Sequence, residues 1–190
     1  MTPPQPRTDL IAEATRRQRN APIRTPVAVI GPRLATPAQY AAAQAVGRGL
    51  ALMGLALICG GRTGVMEAAC RGAAEAGGVA IGMLPDGDAR AANPYASVIL
   101  ATGIGEARNA VIARAALCLV AIGDNFGTLS EVALGRQFGK LVIGLEGAAK
   151  VDGVVYVDSP TEALEQVARC VLSVGVESTP YDGAASRSSE

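Results

Sequence analysis

The sequence predicts an α/β protein of the doubly wound, Rossmann-like class, with a mostly parallel sheet covered by helices on both faces. Three observations carry this. Short apolar runs such as Val27-Ala28-Val29-Ile30 alternate along the chain with longer helical stretches. Those runs are continuously apolar, the mark of strands buried on both faces. Glycines follow the strands repeatedly, at Gly31, Gly60-Gly61, Gly103 with Gly105, and Gly123 with Gly127. In such folds ligands bind at the carboxyl ends of the strands, where these glycines would gather.

The elements follow in order from Pro26. Val27 to Ile30 is a first strand, ended by Gly31. Thr36-Pro37-Ala38-Gln39 supplies an N-cap, a proline at the first helical position and a glutamine at the third, opening a helix to about Met53. Leu55 to Cys59 is a second strand, broken by Gly60-Gly61, and a helix from Thr63 to about Ala76 stops at Gly77-Gly78. Val79 to Leu84 is the third strand, Pro85 to Pro94 a loop, and Ser97 to Thr102 the fourth strand. Glu106 to Ala116 is helical. Leu117 to Ile122 is the strand that feeds Gly123, and Thr128 to Phe138 is the helix that follows. Leu141 to Leu145 and a short Val154 to Val157 complete the sheet, and Ser159-Pro160-Thr161-Glu162 caps a last helix to about Leu172.

Composition narrows the function. With 190 residues, 49% hydrophobic, the chain can bury one sizeable core, and with 3% aromatics that core must be aliphatic. Lys plus Arg and Asp plus Glu both number 17, so no charge excess recruits nucleic acid or an anionic membrane, and a small-molecule ligand is expected. The absence of His removes imidazole bases, Ser-His-Asp triads and His-based metal sites, and no metal is expected. Cys59, Cys70, Cys118 and Cys170 form no CxxC pair and are read as buried small hydrophobes, with a thiol nucleophile as the alternative. No stretch approaches the roughly 18 apolar residues of a membrane span, and the first residues lack an apolar signal core, so a cytoplasmic protein is expected.

Three regions are expected. Residues 1–25, where Arg7, Arg16, Arg17, Arg19 and Arg24 outnumber Asp9 and Glu13, read as a basic arm, either mobile or packed on a partner subunit, with a short helix around Leu10 to Arg19. Residues 26–173 form the Rossmann-like domain, for which the family resemblance described below implies nucleotide binding. Residues 174–190, rich in Ser and Gly, read as a disordered tail.

Two glycine turns open helices and could hold an anion on backbone N–H groups and the helix dipole. One contains Gly60, Gly61, Thr63 and Gly64, the other Gly123 to Glu131, with Gly127 and Thr128 at its helix start. Neither is a GxGxxG or a GxxxxGK[ST] loop, so no dinucleotide or triphosphate is specifically indicated. Thr128-Leu129-Ser130-Glu131 also reads as a capping box, Thr128 on the third amide and Glu131 reaching back. At the mouth of a glycine-lined cleft, Glu131 could instead hold water or a ribose hydroxyl. Arg108, in the first turn of its helix, opposes the helix dipole, which points to a phosphate or a carboxylate partner.

Taken together, Gly60-Gly61-x-x-Gly-Val-Met-Glu, Glu106-Ala107-Arg108-Asn109 and Gly123-x-x-Phe-Gly-Thr-Leu-Ser-Glu resemble the LOG (Lonely guy) family of Rossmann-like proteins, over roughly Val27 to Leu172. The Gly-Glu-Ala-Arg-Asn and Gly-Thr-Leu-Ser-Glu wording is most similar to the branch that includes molybdenum cofactor carrier proteins. The resemblance implies a homo-oligomer and two functions. One is a metal-independent phosphoribohydrolase that cleaves the N-glycosidic bond of a nucleoside 5′-monophosphate, with Arg108 and Glu131 in the family's catalytic positions and Gly60, Gly61, Thr63, Gly64, Gly127 and Thr128 taking the phosphate. The other is a non-catalytic carrier of a phosphorylated pterin such as molybdenum cofactor, which would then be a bound ligand and not a resident cofactor. The family's Pro-Gly-Gly is here Gly123-Asp124-Asn125, and its Arg-Lys pair is Arg108-Asn109. Asp124 and Asn125 place a like charge and a bulkier amide in the loop expected to cradle phosphate, so hydrolysis is in question more than binding.

Overall fold

A computed structural model describes residues 9–174. Seven strands form one fully parallel sheet: β1 (Val27–Ile30), β2 (Leu57–Cys59), β3 (Ala80–Leu84), β4 (Val98–Ala101), β5 (Leu119–Ile122), β6 (Val142–Leu145) and β7 (Val155–Tyr156), in the order β4-β3-β2-β1-β5-β6-β7. Strand order reverses at β1. It pairs with β2 on one side and with β5 on the other, Val29 opposite Val120 and Ile30 opposite Ala121. The crevice beyond β1 and β5 is therefore the topological switch point where doubly wound sheets hold ligands.

Among the described residues six α-helices cover the sheet: α1 (Leu10–Asn20), α2 (Pro37–Leu52), α3 (Val65–Glu75), α4 (Arg108–Ala115), α5 (Phe126–Gln137) and α6 (Pro160–Ser173). Alternate residues of one strand serve opposite faces. Val27 and Val29 join a core with Ala14, Val46, Val65 and Val167 under α1, α2, α3 and α6. Ala28 and Ile30 join a second core with Ile112 and Val132 under α4 and α5. Each buried Val, Leu or Ile contributes about 1.5–3 kcal/mol, and sandwiching the sheet this way leaves β1 and β5 with no exposed face.

The sequence expectation of a doubly wound parallel sheet holds; β1 has the expected bounds, and the other six strands form with one or both ends trimmed by one or two residues. Arg108 begins α4 after a single 3-10 turn over Gly105–Ala107, where one helix from Glu106 is expected. The helix expected around Leu10 to Arg19 forms as α1 and lies on α6 with Ala14 buried, and its Gln18 bonds to Ile23 and to the Gly54 carbonyl. The tail expected beyond residue 174 lies outside the described residues. Among the described residues no helix is long and apolar enough to cross a membrane.

Candidate functional site

The start of α5 departs from the sequence expectation in a way that sets up the site. Thr128 does not cap it, and Glu131 does not reach back. The N-cap is Asn125, whose Oδ1 accepts the Thr128 N–H at 2.8 Å, so the helix begins two residues earlier, at Phe126. Asn is at least as good an N-cap as Thr, and the earlier start puts Thr128, Glu131, Val132 and Gly135 on one inward stripe. Glu131 is thereby turned into the protein. Of the other two expected boxes, Thr36–Gln39 forms both reciprocal bonds, whereas Glu162 at the start of α6 accepts from Asp158 N–H.

Beyond β1 and β5 opens a cleft of about 810 Å³. Its walls are Gly31 to Leu34 after β1, Met66 of α3, Glu106, Arg108 and Asn109 around the start of α4, and Asp124 to Thr128 with Ser130 and Glu131 of the β5–α5 turn. Arg108, Glu131 and Thr128 are all buried. Arg108 Nη1 donates to Asn109 Oδ1 at 2.7 Å and to Glu131 Oε1 at 3.4 Å. Asn109 Nδ2 donates to Ser130 Oγ, which in turn donates to the Gly127 carbonyl. One chain of hydrogen bonds thus ties the start of α4 to the first turn of α5.

Burial pushes the Glu131 carboxyl up to about 8; the Arg108 guanidinium pulls it down, and the Glu106 charge pushes it up again. Desolvation outweighs the ion pair because neither charge is reached by much water and a single contact at 3.4 Å is long for a salt bridge. At neutral pH Glu131 is mostly an uncharged acid. Two polar atoms of this wall lack any hydrogen-bond partner, Arg108 Nε and Thr128 Oγ1. Both atoms are closed off from solvent, and leaving such groups unpaired costs on the order of 1–3 kcal/mol each.

The second glycine turn stands elsewhere. Gly60, Gly61, Thr63 and Gly64 do not line the cleft. Gly60 makes room for Arg108: a Cβ there would stand 2.6 Å from Arg108 Nη2 and 2.7 Å from Met66 Sδ. Gly64, at φ +70°, packs under the loop after β1, where a Cβ would sit 2.4 Å from the Pro32 and Arg33 carbonyl oxygens. Thr63 Oγ1 donates to the Arg33 carbonyl and Val65 N–H to that of Pro32. The turn braces one wall and seats the arginine. Asp124 and Asn125, together with Gly127, line the opposite wall and are exposed.

Arg33 and Leu34 lie outside every motif of the sequence, and Glu106, Phe126 and Ser130 lie within the quoted motifs without having been given a role there. Arg33 and Glu106 pair across the exposed mouth at 3.7 Å. The signal for Arg33 and Leu34 was positional only, since both follow the end of β1. Cysteines also behave differently from their sequence spacing, because Cys59 at the end of β2 and Cys70 of α3 are both buried with sulfurs 3.5 Å apart.

Comparison with known proteins agrees with this geometry. An uncharacterized protein of Archaeoglobus fulgidus is 35% identical over 138 residues, which is 73% of this chain and 91% of that protein. The molybdenum cofactor binding protein of the phototrophic bacterium Rippkaea orientalis superposes with a TM-score of 0.74 at 33% identity, over 78% of this chain and 99% of that one. The molybdenum cofactor carrier protein of Chlamydomonas reinhardtii gives 0.72 at 31% identity over the same shares. The sequence model of the SLOG cluster4 family matches residues 24–173, from just before β1 to the end of α6, and the chain belongs to that LOG-like family.

Proposed function

We propose that this protein binds and carries a small phosphorylated pterin, such as molybdenum cofactor, in the cleft beyond β1 and β5, without hydrolysing it. The observation that carries this reading is the β5–α5 turn, where the Asp124 carboxylate and the Asn125 amide line the cleft and Asn125 Oδ1 already accepts from the Thr128 N–H. Cleaving an N-glycosidic bond develops positive charge on the ribose, which a carboxylate stabilises and a neutral acid does not. Burial raises the Glu131 carboxyl to about 8, which lessens its repulsion of a phosphate bound nearby. The first N–H groups of α5 and the Arg108 guanidinium are the donors nearest a phosphate in this cleft. The likeness to the Rippkaea and Chlamydomonas proteins, which bind or carry molybdenum cofactor, supports the same ligand class.

The contact of Arg108 with Glu131 favours a second reading, a phosphoribohydrolase acting on nucleoside 5′-monophosphates. The two separate in one experiment. Equilibrium binding of hydroxymethylpterin phosphate is measured beside release of free base from AMP, GMP and CMP. Pterin affinity without base release is the expected result; base release that disappears in Glu131→Ala, with no pterin affinity, reverses the ranking.

A homo-oligomer belongs to the same proposal. Its support is the outer edge of the sheet, where β4 offers an unpaired side and Val98, Ile99 and Leu100 are each about 40% exposed. Natural edge strands are usually blunted by charge, proline or a bulge, and Val98 to Ala101 has no charge or proline. An uncharged apolar edge is self-complementary and meets a second copy without repulsion.

A further inference from the structure

Phe126 is 92% exposed and Leu34 is 91% exposed, the two most exposed large hydrophobic side chains among the described residues. Both line the cleft, Leu34 on the turn after β1 and Phe126 at the first position of α5. The chain has only two phenylalanines. The other, Phe138, is partly buried under the Arg114 guanidinium, 4.0 Å from the ring centroid, so Phe126 alone is left in water. Nothing local requires it there: the first helical position favours proline or a good helix former, and neither describes phenylalanine.

Polar and apolar features of the cleft are segregated. Its inner wall carries the buried Arg108, Thr128 and Glu131, and its rim carries Leu34 and Phe126. A phosphate held against the first turn of α5 lies beside Phe126, which belongs to that turn, so a ring joined to the phosphate comes within reach of the rim. We infer that Phe126 and Leu34 form a clamp that holds the planar fused heterocycle of the ligand, the Phe126 ring stacking on one of its faces, and that this clamp selects ring-bearing phosphates over ringless ones. The inference rests on the reading that the cleft takes a phosphorylated ligand. Pterin and purine share the fused-ring chemistry it requires, and a π-face is what an aromatic side chain recognises in either.

The test uses the full-length protein and three probes: hydroxymethylpterin phosphate, GMP and ribose 5-phosphate. The protein has no Trp, so pterin emission is read without indole background; the other two are followed calorimetrically. The wild type should bind the ring-bearing probes more tightly than ribose 5-phosphate, and whichever ring is tighter identifies the source. Phe126→Ala should weaken ring-bearing probes by about ten-fold or more and leave ribose 5-phosphate unchanged. Phe126→Leu, which keeps apolar area but loses the π-face, should recover only part of the loss, and Leu34→Ala should act in the same direction more weakly. Because both positions are exposed, neither change should impair folding. Equal weakening of all three probes, or no weakening, overturns the clamp. So does a fall in oligomer mass with Phe126→Ala in light scattering, which would mean that a second copy covers the ring. A wild type that binds none of the phosphates defeats the carrier reading and the clamp together, whereas wild-type binding indifferent to Phe126→Ala defeats the clamp alone.

Discussion

Asn125 Oδ1 accepts the Thr128 N–H at 2.8 Å, so the anion-binding end of α5 is partly filled by the protein's own side chain. A phosphate at this helix start competes with an internal cap. Asn125→Gly removes the competitor, and glycine is itself tolerated at an N-cap, at a cost of a few tenths of a kcal/mol. The expected outcome is a nearly unchanged melting temperature without ligand and a larger stabilisation by added phosphate. Thermal shift against phosphate concentration measures both, and equal stabilisation of the two proteins would rule out competition by Asn125.

Glu131 makes binding and stability depend on pH in a definite direction. Its pKa in the folded state, about 8, lies above the ordinary carboxyl value of 4.5. The folded protein therefore binds more protons than the unfolded chain between those values, and stability falls as pH rises from about 4.5 through 8, by on the order of a few kcal/mol in total. Ionisation also places a negative charge beside the bound phosphate, so affinity should drop across the same upper limit. Glu131→Gln should flatten both profiles. Chemical denaturation and phosphate-probe titration at pH 6, 7 and 9 check this, and a variant with the wild-type slope would show that another group titrates.

Much of this was legible in the chain. Short continuous apolar runs such as Val27 to Ile30 and Leu119 to Ile122, each bounded by a glycine, read as strands covered on both faces, and the glycines after them mark the binding edge. Arg108 was legible as a cation in want of a phosphate or a carboxylate, and Glu131 as a carboxylate at the cleft mouth, but their contact with each other was not. What was not legible is which of two competing caps wins. Thr128-Leu129-Ser130-Glu131 satisfies the capping pattern as well as Thr36 to Gln39 does, but burial of the stripe from Thr128 to Gly135 decides for Asn125, and that is a tertiary effect. The division of labour between glycine turns was hidden for the same reason. Gly60 and Gly64 look like ligand glycines locally, and only the packing shows that their close approaches are to Arg108 and to the Pro32 and Arg33 carbonyls.

That division predicts different outcomes for two alanine substitutions. At Gly60 the new Cβ meets the ends of Arg108 and Met66, long side chains that can give way. Stability should fall by only about 1 kcal/mol, while the displaced guanidinium should lower affinity for a phosphorylated probe roughly ten-fold, as for loss of a charged hydrogen bond. At Gly64 the Cβ meets rigid carbonyl oxygens at 2.4 Å and the backbone has φ +70°. Gly64→Ala should therefore cost more, about 2 kcal/mol or above. Denaturation midpoints with probe titrations separate the two, and the reverse order of stability losses would contradict the assigned roles.

The edge of the sheet yields the last prediction. β4 leaves Val98, Ile99 and Leu100 partly exposed along an unpaired strand, and Ile104 and Val111 nearby in sequence are exposed as well. Burial of this edge against a second copy would be driven by apolar area, which a single charge opposes strongly because it must be desolvated without a partner. Leu100→Lys should then lower the oligomer mass measured by light scattering. It should leave the folded monomer intact, since the position is about 40% exposed and lysine is the residue natural edges use to prevent pairing. Glu106 follows this edge directly and lines the cleft, so loss of the oligomer should also weaken phosphate binding if the contact orders the β4–α4 connection. An unchanged mass with Leu100→Lys would move the interface away from β4, and a lower mass with unchanged binding would show that the cleft is complete within one chain.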